Sequence, residues 1–322
     1  MITTEIEDLP DNNWNKRLLE SDIGSIYHTI EYSKFIMNKG WSPKFLKFIN
    51  QNGTIVGQIL ISTYSRFDKK KGISKLLNSL PGTKKQMYRW VFGPIIFEST
   101  LTNEIHESLG KFLISQNCRV YGTEHPLKTK VFTNLGSAFN LENWGTFLID
   151  LSVNIETIWK GFDKHSARKN IERSEKRGVT INEITDKNLV QYYELLKNTK
   201  SKVDWDITFE EISFLWKQLK PIGFTGFLAT KDEIPIGGIL LSHFNNYINE
   251  WGVGRSELDY TKKLYSQDLL KWHIINWGIK NKCNFYDLTG ANPNSTSEKE
   301  SGIFRYKKKW GGKYVEYDIC KI

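Results

Sequence analysis

Apolar and polar residues alternate along this chain with two periods, and the switches between them mark its elements. Phe45-Leu46-Lys47-Phe48-Ile49, a polar turn at Asn52-Gly53 and Gly57-Gln58-Ile59-Leu60-Ile61-Ser62 predict a β-hairpin, because an Asn-Gly step between apolar runs favours a tight turn. The pattern returns late in the chain. An apolar run over 224–229, a polar turn at Lys231-Asp232-Glu233 and Gly237-Gly238-Ile239-Leu240-Leu241-Ser242 predict a second hairpin, and its last segment repeats Gly57 to Ser62 almost position for position. Apolar spacing of three and four predicts a helix before each hairpin, over 25–38 and 209–220, the second stopped by Pro221 and Gly223. It also predicts a helix and a short strand after each: 103–116 then Arg119-Val120-Tyr121, and 263–280 then Phe285-Tyr286-Asp287-Leu288. Helix, hairpin, helix and strand, twice in one order, imply a duplicated α/β architecture with mixed sheets.

The copies meet around residues 140–178, which predicts domains at 1–145 and 146–322. Thr146 to Leu151 reads as a strand and Ile155 to Trp159 as the start of a helix. A strongly basic helix is expected over 166–178, with Ser166 as N-cap and Gly178 just past its end. Its Glu, Lys and Arg residues are spaced to pair along a solvated face, leaving one or two arginines for a ligand groove. The chain closes on Ser301-Gly302-Ile303-Phe304-Arg305-Tyr306-Lys307-Lys308-Lys309-Trp310-Gly311-Gly312, where aromatics sit among cations ahead of an alternating strand from Tyr314 to Tyr317. Such a mixture suits a pocket for an anionic, polar substrate.

Composition narrows the class. Hydrophobic residues make up 39% and aromatics 13% of 322 residues, which excludes a disordered chain. No window approaches the roughly 20 apolar residues that cross a bilayer. The N-terminus lacks the basic and apolar regions of a signal peptide. Cys118, Cys283 and Cys320 are odd in number and far apart, as in a reduced, cytoplasmic protein. The scattered histidines offer no metal-binding pair, so no metal site is expected. The net charge of +9 points either to phosphate-bearing partners, such as tRNA, nucleotide-linked sugars or anionic lipid heads at a membrane surface, or to a Lys-rich compositional bias. A monomer is expected.

Five segments, in order, resemble the FemABX family of peptidoglycan-bridge aminoacyltransferases. Trp90-Val91-Phe92-Gly93-Pro94-Ile95 is similar to its Gly-Pro segment, and Phe147 to Leu151 to a strand that follows. Arg168-Lys169-Asn170-Ile171-Glu172-Arg173-Ser174-Glu175-Lys176-Arg177-Gly178-Val179 is similar to its basic helix. Tyr286-Asp287-Leu288-Thr289-Gly290 is similar to its aspartate-bearing strand end, and Phe304 to Gly312 to its terminal lysine motif, with Tyr306 before the lysine as a mild departure. The resemblance implies two tandem GNAT-like (acyl-CoA N-acyltransferase-like) domains, which agrees with the duplication. It also implies transfer of an aminoacyl group from aminoacyl-tRNA to the amine of a cell-wall precursor, a phosphate-bearing or nucleotide-linked acceptor. No long heptad insert interrupts the second half, so the chain is similar to members without a helical arm.

Amide formation from an activated ester needs a neutral, close amine, a stabilised oxyanion and exclusion of water. The resemblance makes Lys307 the first candidate for oxyanion or phosphate stabilisation, with Tyr306 beside it. The other reading of Lys307 to Lys309 is a solvent-facing helical turn. Tyr306 and Trp310 lie four apart and share a face as pocket walls, which leaves Arg305, Lys308 and Lys309 for solvent. Tyr265 is expected at a helix start, where acyl-CoA enzymes of this type carry a glycine-rich loop that cradles pyrophosphate. No glycine follows Gly254 before that helix, and Ser65 to Pro81 is Lys-rich with one glycine, so acyl-CoA is disfavoured and no cofactor is expected besides the tRNA ester. Arg255, Lys262 and Lys263 are candidate phosphate contacts. Asp287 could accept a proton through water or cap the following loop. Trp251, next to Glu250, could stack on a sugar or base or belong to the core. Lys34, Arg89 and Arg168 are weaker candidates for an anionic precursor. Two other functions remain open: a GNAT-like N-acyltransferase using another donor, which acyl-CoA binding would reveal, and a binding protein that has lost its chemistry, which the Tyr306-Lys307 pair disfavours.

Overall fold

The structure, a computed structural model, describes residues 2–64, 86–200, 207–295 and 297–322, so Ser65 to Pro81 lies outside the described residues. Two compact units form, one of Met1–Trp144 with Glu316–Ile322, the other of Gly145–Val315.

In the first unit, strands β1 (Thr3–Glu7), β2 (Ser42–Ile49), β3 (Ile55–Tyr64) and β4 (Met87–Trp90) pair antiparallel in that order, and the short β5 (Ile95–Ile96) pairs with β3. β6 (Arg119–Thr123) lies parallel to β4. The helix Thr102–Ser115 connects the two, because a parallel neighbour needs a crossover. After β7 (Asn140–Asp150), the second unit repeats the scheme. β8 (Val179–Glu183), β9 (Phe224–Lys231), β10 (Ile234–Phe244) and β11 (Tyr247–Arg255) run antiparallel, and β12 (Phe285–Asp287) lies parallel to β11 behind the helix Ser266–Lys280. The repeated glycines have the same task in both copies. A Cβ on Gly57 would stand 3.2 Å from Ile105 Cδ1 of the first crossover helix, and one on Gly237 would stand 2.4 Å from Ser266 Oγ of the second. Each lets the crossover helix press on its hairpin.

Each parallel strand is closed by an antiparallel one. Leu148 to Asp150 of β7 pair with β12, and Ile319 to Lys321 of β13 (Lys313–Lys321) pair with β6. This departs from the expected domain 146–322: hydrogen bonding to β6 gives residues 316–322 to the first unit. Each unit has its own core, with Phe48, Ile59, Leu109 and Phe132 in the first and Phe162, Ile239, Ile274 and Trp310 in the second. Among the described residues, no helix is long and apolar enough to cross a membrane.

Local chemistry shifts four predicted helix boundaries. The helix over 25–38 splits into a short turn, Ile26–His28, and the helix Ile30–Asn38, because Thr29 caps the second piece by accepting from the Tyr32 N–H at 3.1 Å. The second hairpin's helix runs Phe209–Gly223, through Pro221, anchored by a capping box of Thr208 and Glu211. The crossover helix starts at Ser266 and not at 263, since Lys263 and Tyr265 hold left-handed φ of 52° and 58°. Asp163, not Ser166, caps the basic segment: its carboxylate accepts from the His165 and Ser166 N–H groups at 3.0 and 2.7 Å, and a carboxylate outcompetes a hydroxyl there. That segment becomes a π-helical turn, Lys164–Arg168, followed by the helix Lys169–Lys176.

Candidate functional site

The site lies in the second unit, where Lys307 of the helix Glu298–Lys308 reaches the loop that follows β12. Lys307 is not in solvent. Its ammonium donates to the carbonyls of Thr289 and Gly290 at 2.5 and 2.6 Å. It forms no ion pair within 4 Å among the described residues. Burial pulls its pKa down from 10.5 to about 8, against the opposing pull of Glu250 and Asp287. An ammonium has three N–H donors, and two are used on these carbonyls.

The loop that Lys307 grips is held from below by Asp287, which is fully buried. One carboxylate oxygen accepts from Thr146 Oγ1 at 2.5 Å and the Thr289 N–H at 2.7 Å. The other accepts from Tyr247 OH at 2.7 Å and Asn249 Nδ2 at 3.1 Å. Burial raises its pKa while these donors oppose the rise. With every lone-pair direction filled, Asp287 anchors the loop and has no room to take a proton through water. The loop-capping alternative is the one the geometry carries.

Tyr306 is half-buried, with its hydroxyl enclosed and unpartnered. Burial, then the carboxylates of Asp268 and Glu250, push the phenol well above its ordinary range, so it stays protonated. Ammonium groups flank its ring: Lys309 Nζ at 4.2 Å from the centroid and Lys271 Nζ at 5.7 Å. Lys309 was expected in solvent, yet its side chain is 12% exposed and pairs with buried Asp268. Burial pushes the Asp268 carboxyl up and the Lys309 amine down, and the pairing offsets part of each shift. A second buried pair joins Lys271 to Glu250, which also accepts from Tyr286 OH. Arg305 and Lys308 are exposed.

Trp310 is 1% exposed and packs edge-on against Phe162 at 5.1 Å. With Gly311 it floors an open cleft of about 240 Å³ bounded by Leu148, Ile158 and Gly161. Gly311 has φ +66°, and a Cβ there would stand 2.3 Å from the Gly161 carbonyl, so the turn after Trp310 requires glycine.

At the start of the crossover helix, Asp259 accepts from the Ser266 N–H at 2.8 Å and pairs with Arg255. A carboxylate of the chain itself therefore fills the anion position at this helix end. Tyr265 sits there, half-buried, beneath the guanidinium groups of Arg173 and Arg177. Arg168 is half-buried with an unpartnered Nε. Trp251, on β11, packs edge-on against Phe224 at 6.0 Å. Lys34 is exposed on Ile30–Asn38 of the first unit, and Arg89 lies 5.4 Å over the Tyr121 ring. Sequence reading missed Asp268, Lys271 and Asp259. The available signal was a run of polar residues, Gln267, Asp268 and Lys271, inside an otherwise apolar helix.

No family model and no curated protein matches the chain. Among solved structures it is similar to FemX, with a TM-score of 0.73 at 12% identity, over 98% of this chain and 96% of that one. The fold is the tandem GNAT-like fold of FemX. L-PGS from Bacillus licheniformis gives a TM-score of 0.60 at 12% identity, over 98% and 93% of the two chains. A tandem GNAT protein from the clavulanic acid biosynthesis pathway gives 0.54 at 10% identity, over 100% and 97%. At these identities the likeness is one of fold. It agrees with the duplication read from Gly57 and Gly237.

Proposed function

We propose that the chain is an acyltransferase that moves an aminoacyl group from aminoacyl-tRNA to the amine of a cell-wall precursor or a similar acceptor. The observation that carries this reading is Lys307, a half-buried ammonium held by two carbonyls and in no ion pair among the described residues, with one N–H to spare. The acceptor nitrogen attacks the ester carbonyl, a C–N bond forms, and the carbonyl oxygen takes up negative charge that the Lys307 N–H stabilises. Collapse breaks the ester C–O bond, and the departing ribose oxygen takes the proton the amine loses. The protonated Tyr306 hydroxyl, on the neighbouring residue of the same helix, is a second donor without an acceptor of its own.

Asp259 supports a tRNA ester over acyl-CoA as donor, because its carboxylate repels pyrophosphate from the helix start where a glycine loop would welcome it. The alternative, an N-acyltransferase with another donor, draws on the likeness to the tandem GNAT protein. Transfer assays with charged tRNA and an amine acceptor test the proposal. Lys307→Met is expected to lower turnover by about 10² to 10³, the loss typical of one oxyanion donor, with the fold retained. Undiminished turnover in that variant sinks the assignment. Acetyl-CoA binding by calorimetry, beside inert charged tRNA, favours the alternative.

A further inference from the structure

The basic segment of the second unit does not neutralise itself. None of Arg173, Arg177, Lys262 and Lys263 forms an ion pair among the described residues, although Glu172 and Glu175 share the helix with the arginines. The expected pairs along Lys169–Lys176 are absent there because the arginines turn to an aromatic ring. The guanidinium carbons of Arg173 and Arg177 stand 5.8 and 5.3 Å from the Tyr265 centroid, and Arg177 donates to the Lys263 carbonyl. Like charges four residues apart on a helix repel, and a left-handed tyrosine is strained. Both costs are met at one place, beside an open cationic surface. Arg255 lies 5.0 Å over Tyr260, a residue 66% exposed.

We propose that Arg173, Arg177, Lys262, Tyr260 and Tyr265 form a docking surface for the single-stranded 3′ end of an RNA. The guanidinium groups, held beside the Tyr265 ring, direct N–H groups to phosphates, and the open face of Tyr260 stacks on a base. Within residues 255–265, Leu258 and Leu264 turn inward, so the large apolar group exposed beside Glu257, Thr261, Lys262 and Lys263 is the Tyr260 ring, suited to a base, and not an aliphatic wedge suited to a bilayer. The inner edge of the surface is the Arg255–Asp259 pair, and both residues act electrostatically on the buried Tyr306 hydroxyl. A strand laid over Tyr260 therefore leads its terminal ribose toward the candidate site. The proposal rests on the aminoacyl-tRNA reading and locates that donor's nucleic-acid part.

The test uses the full chain and a fluorescent RNA hairpin with a single-stranded 3′ overhang, followed by anisotropy at rising salt. The double variant R173E/R177E is expected to bind at least about tenfold more weakly, with the salt slope reduced by about 1.4, two single-strand contacts' worth. Tyr260→Ala is expected to lose roughly tenfold on the overhang RNA and nothing on the blunt hairpin. Lys262→Glu, at an exposed position, gives an independent variant should the arginine changes disturb the fold, which thermal unfolding reports. Wild-type RNA binding that none of these variants weakens overturns the surface and leaves the donor reading standing. No RNA binding by the wild type removes both. Loss of binding to phosphatidylglycerol vesicles in R173E/R177E, with RNA binding intact, makes this a membrane face and overturns the proposal.

Discussion

At the scale of single residues, the environment of Lys307 changes its chemistry at a pH where transfer can be followed. Its pKa near 8 leaves the ammonium mostly charged at neutral pH and titrates it just above. Transfer is expected to rise with pH as the acceptor amine deprotonates, then fall with an apparent pKa near 8 as Lys307 loses its proton. A rate that climbs without a break past pH 9 contradicts a cationic role. Stability carries a separate signature. The folded pKa lies below the unfolded 10.5, so the unfolded chain binds more protons between about 8 and 10.5. The burial cost is present in full below pH 8 and relieved as pH rises through that window. Thermal unfolding of Lys307→Met against wild type at pH 7 and pH 10 measures it, and the variant's advantage is expected to shrink at the higher pH. The terminal motif singled out Lys307, but the two carbonyls that hold its ammonium were not legible there. Sequence spacing put Lys309 in solvent with equal ease, because its partner Asp268 is brought to it only by the tertiary fold.

At the scale of elements, the crossover helix Ser266–Lys280 is held by charges along its first turns. Asp268 and Lys309 are nearly dry, so removing one partner strands the other. Asp268→Ala is expected to cost about 3–5 kcal/mol, and the double change with Lys309→Met to recover most of it, since breaking a buried pair costs more than replacing it. Denaturant unfolding of the wild type, Asp268→Ala, Lys309→Met and the double variant completes that cycle, and additive losses argue against the pair. Asp259→Ala is expected to cost about 1–2 kcal/mol through the lost cap, with more from the unpaired Arg255. Helices and hairpins were legible because their apolar periods are local. Their ends were not, because caps compete over a few residues. Asp163 displaced Ser166, and the left-handed Tyr265 displaced a start at 263, neither of which leaves a mark in periodicity.

At the scale of the whole molecule, the duplication extends beyond the hairpins that revealed it. Each copy has a parallel strand behind a crossover helix and an antiparallel strand that closes it. What the repeat did not reveal is which stretch of chain supplies the closing strand. The boundary set at 145–146 followed the order of elements, whereas hydrogen bonding sends Ile319 to Lys321 back to β6. Cutting the chain after Val315 is therefore expected to destabilise the first unit, with hydrogen exchange accelerated at Tyr121 to Thr123; exchange confined to the second unit contradicts this. Glu124 tightens the dependence. This buried carboxylate accepts from the backbone N–H groups of Lys130, Val131 and Phe132 and also of Asp318. During synthesis the first unit thus leaves the ribosome with β6 bare along one edge and Glu124 short of a donor. Residues 145–322 must still be translated, on the order of ten seconds or more at ordinary elongation rates. A nascent chain arrested before its last residues is expected to be the form that chaperones and proteases find first.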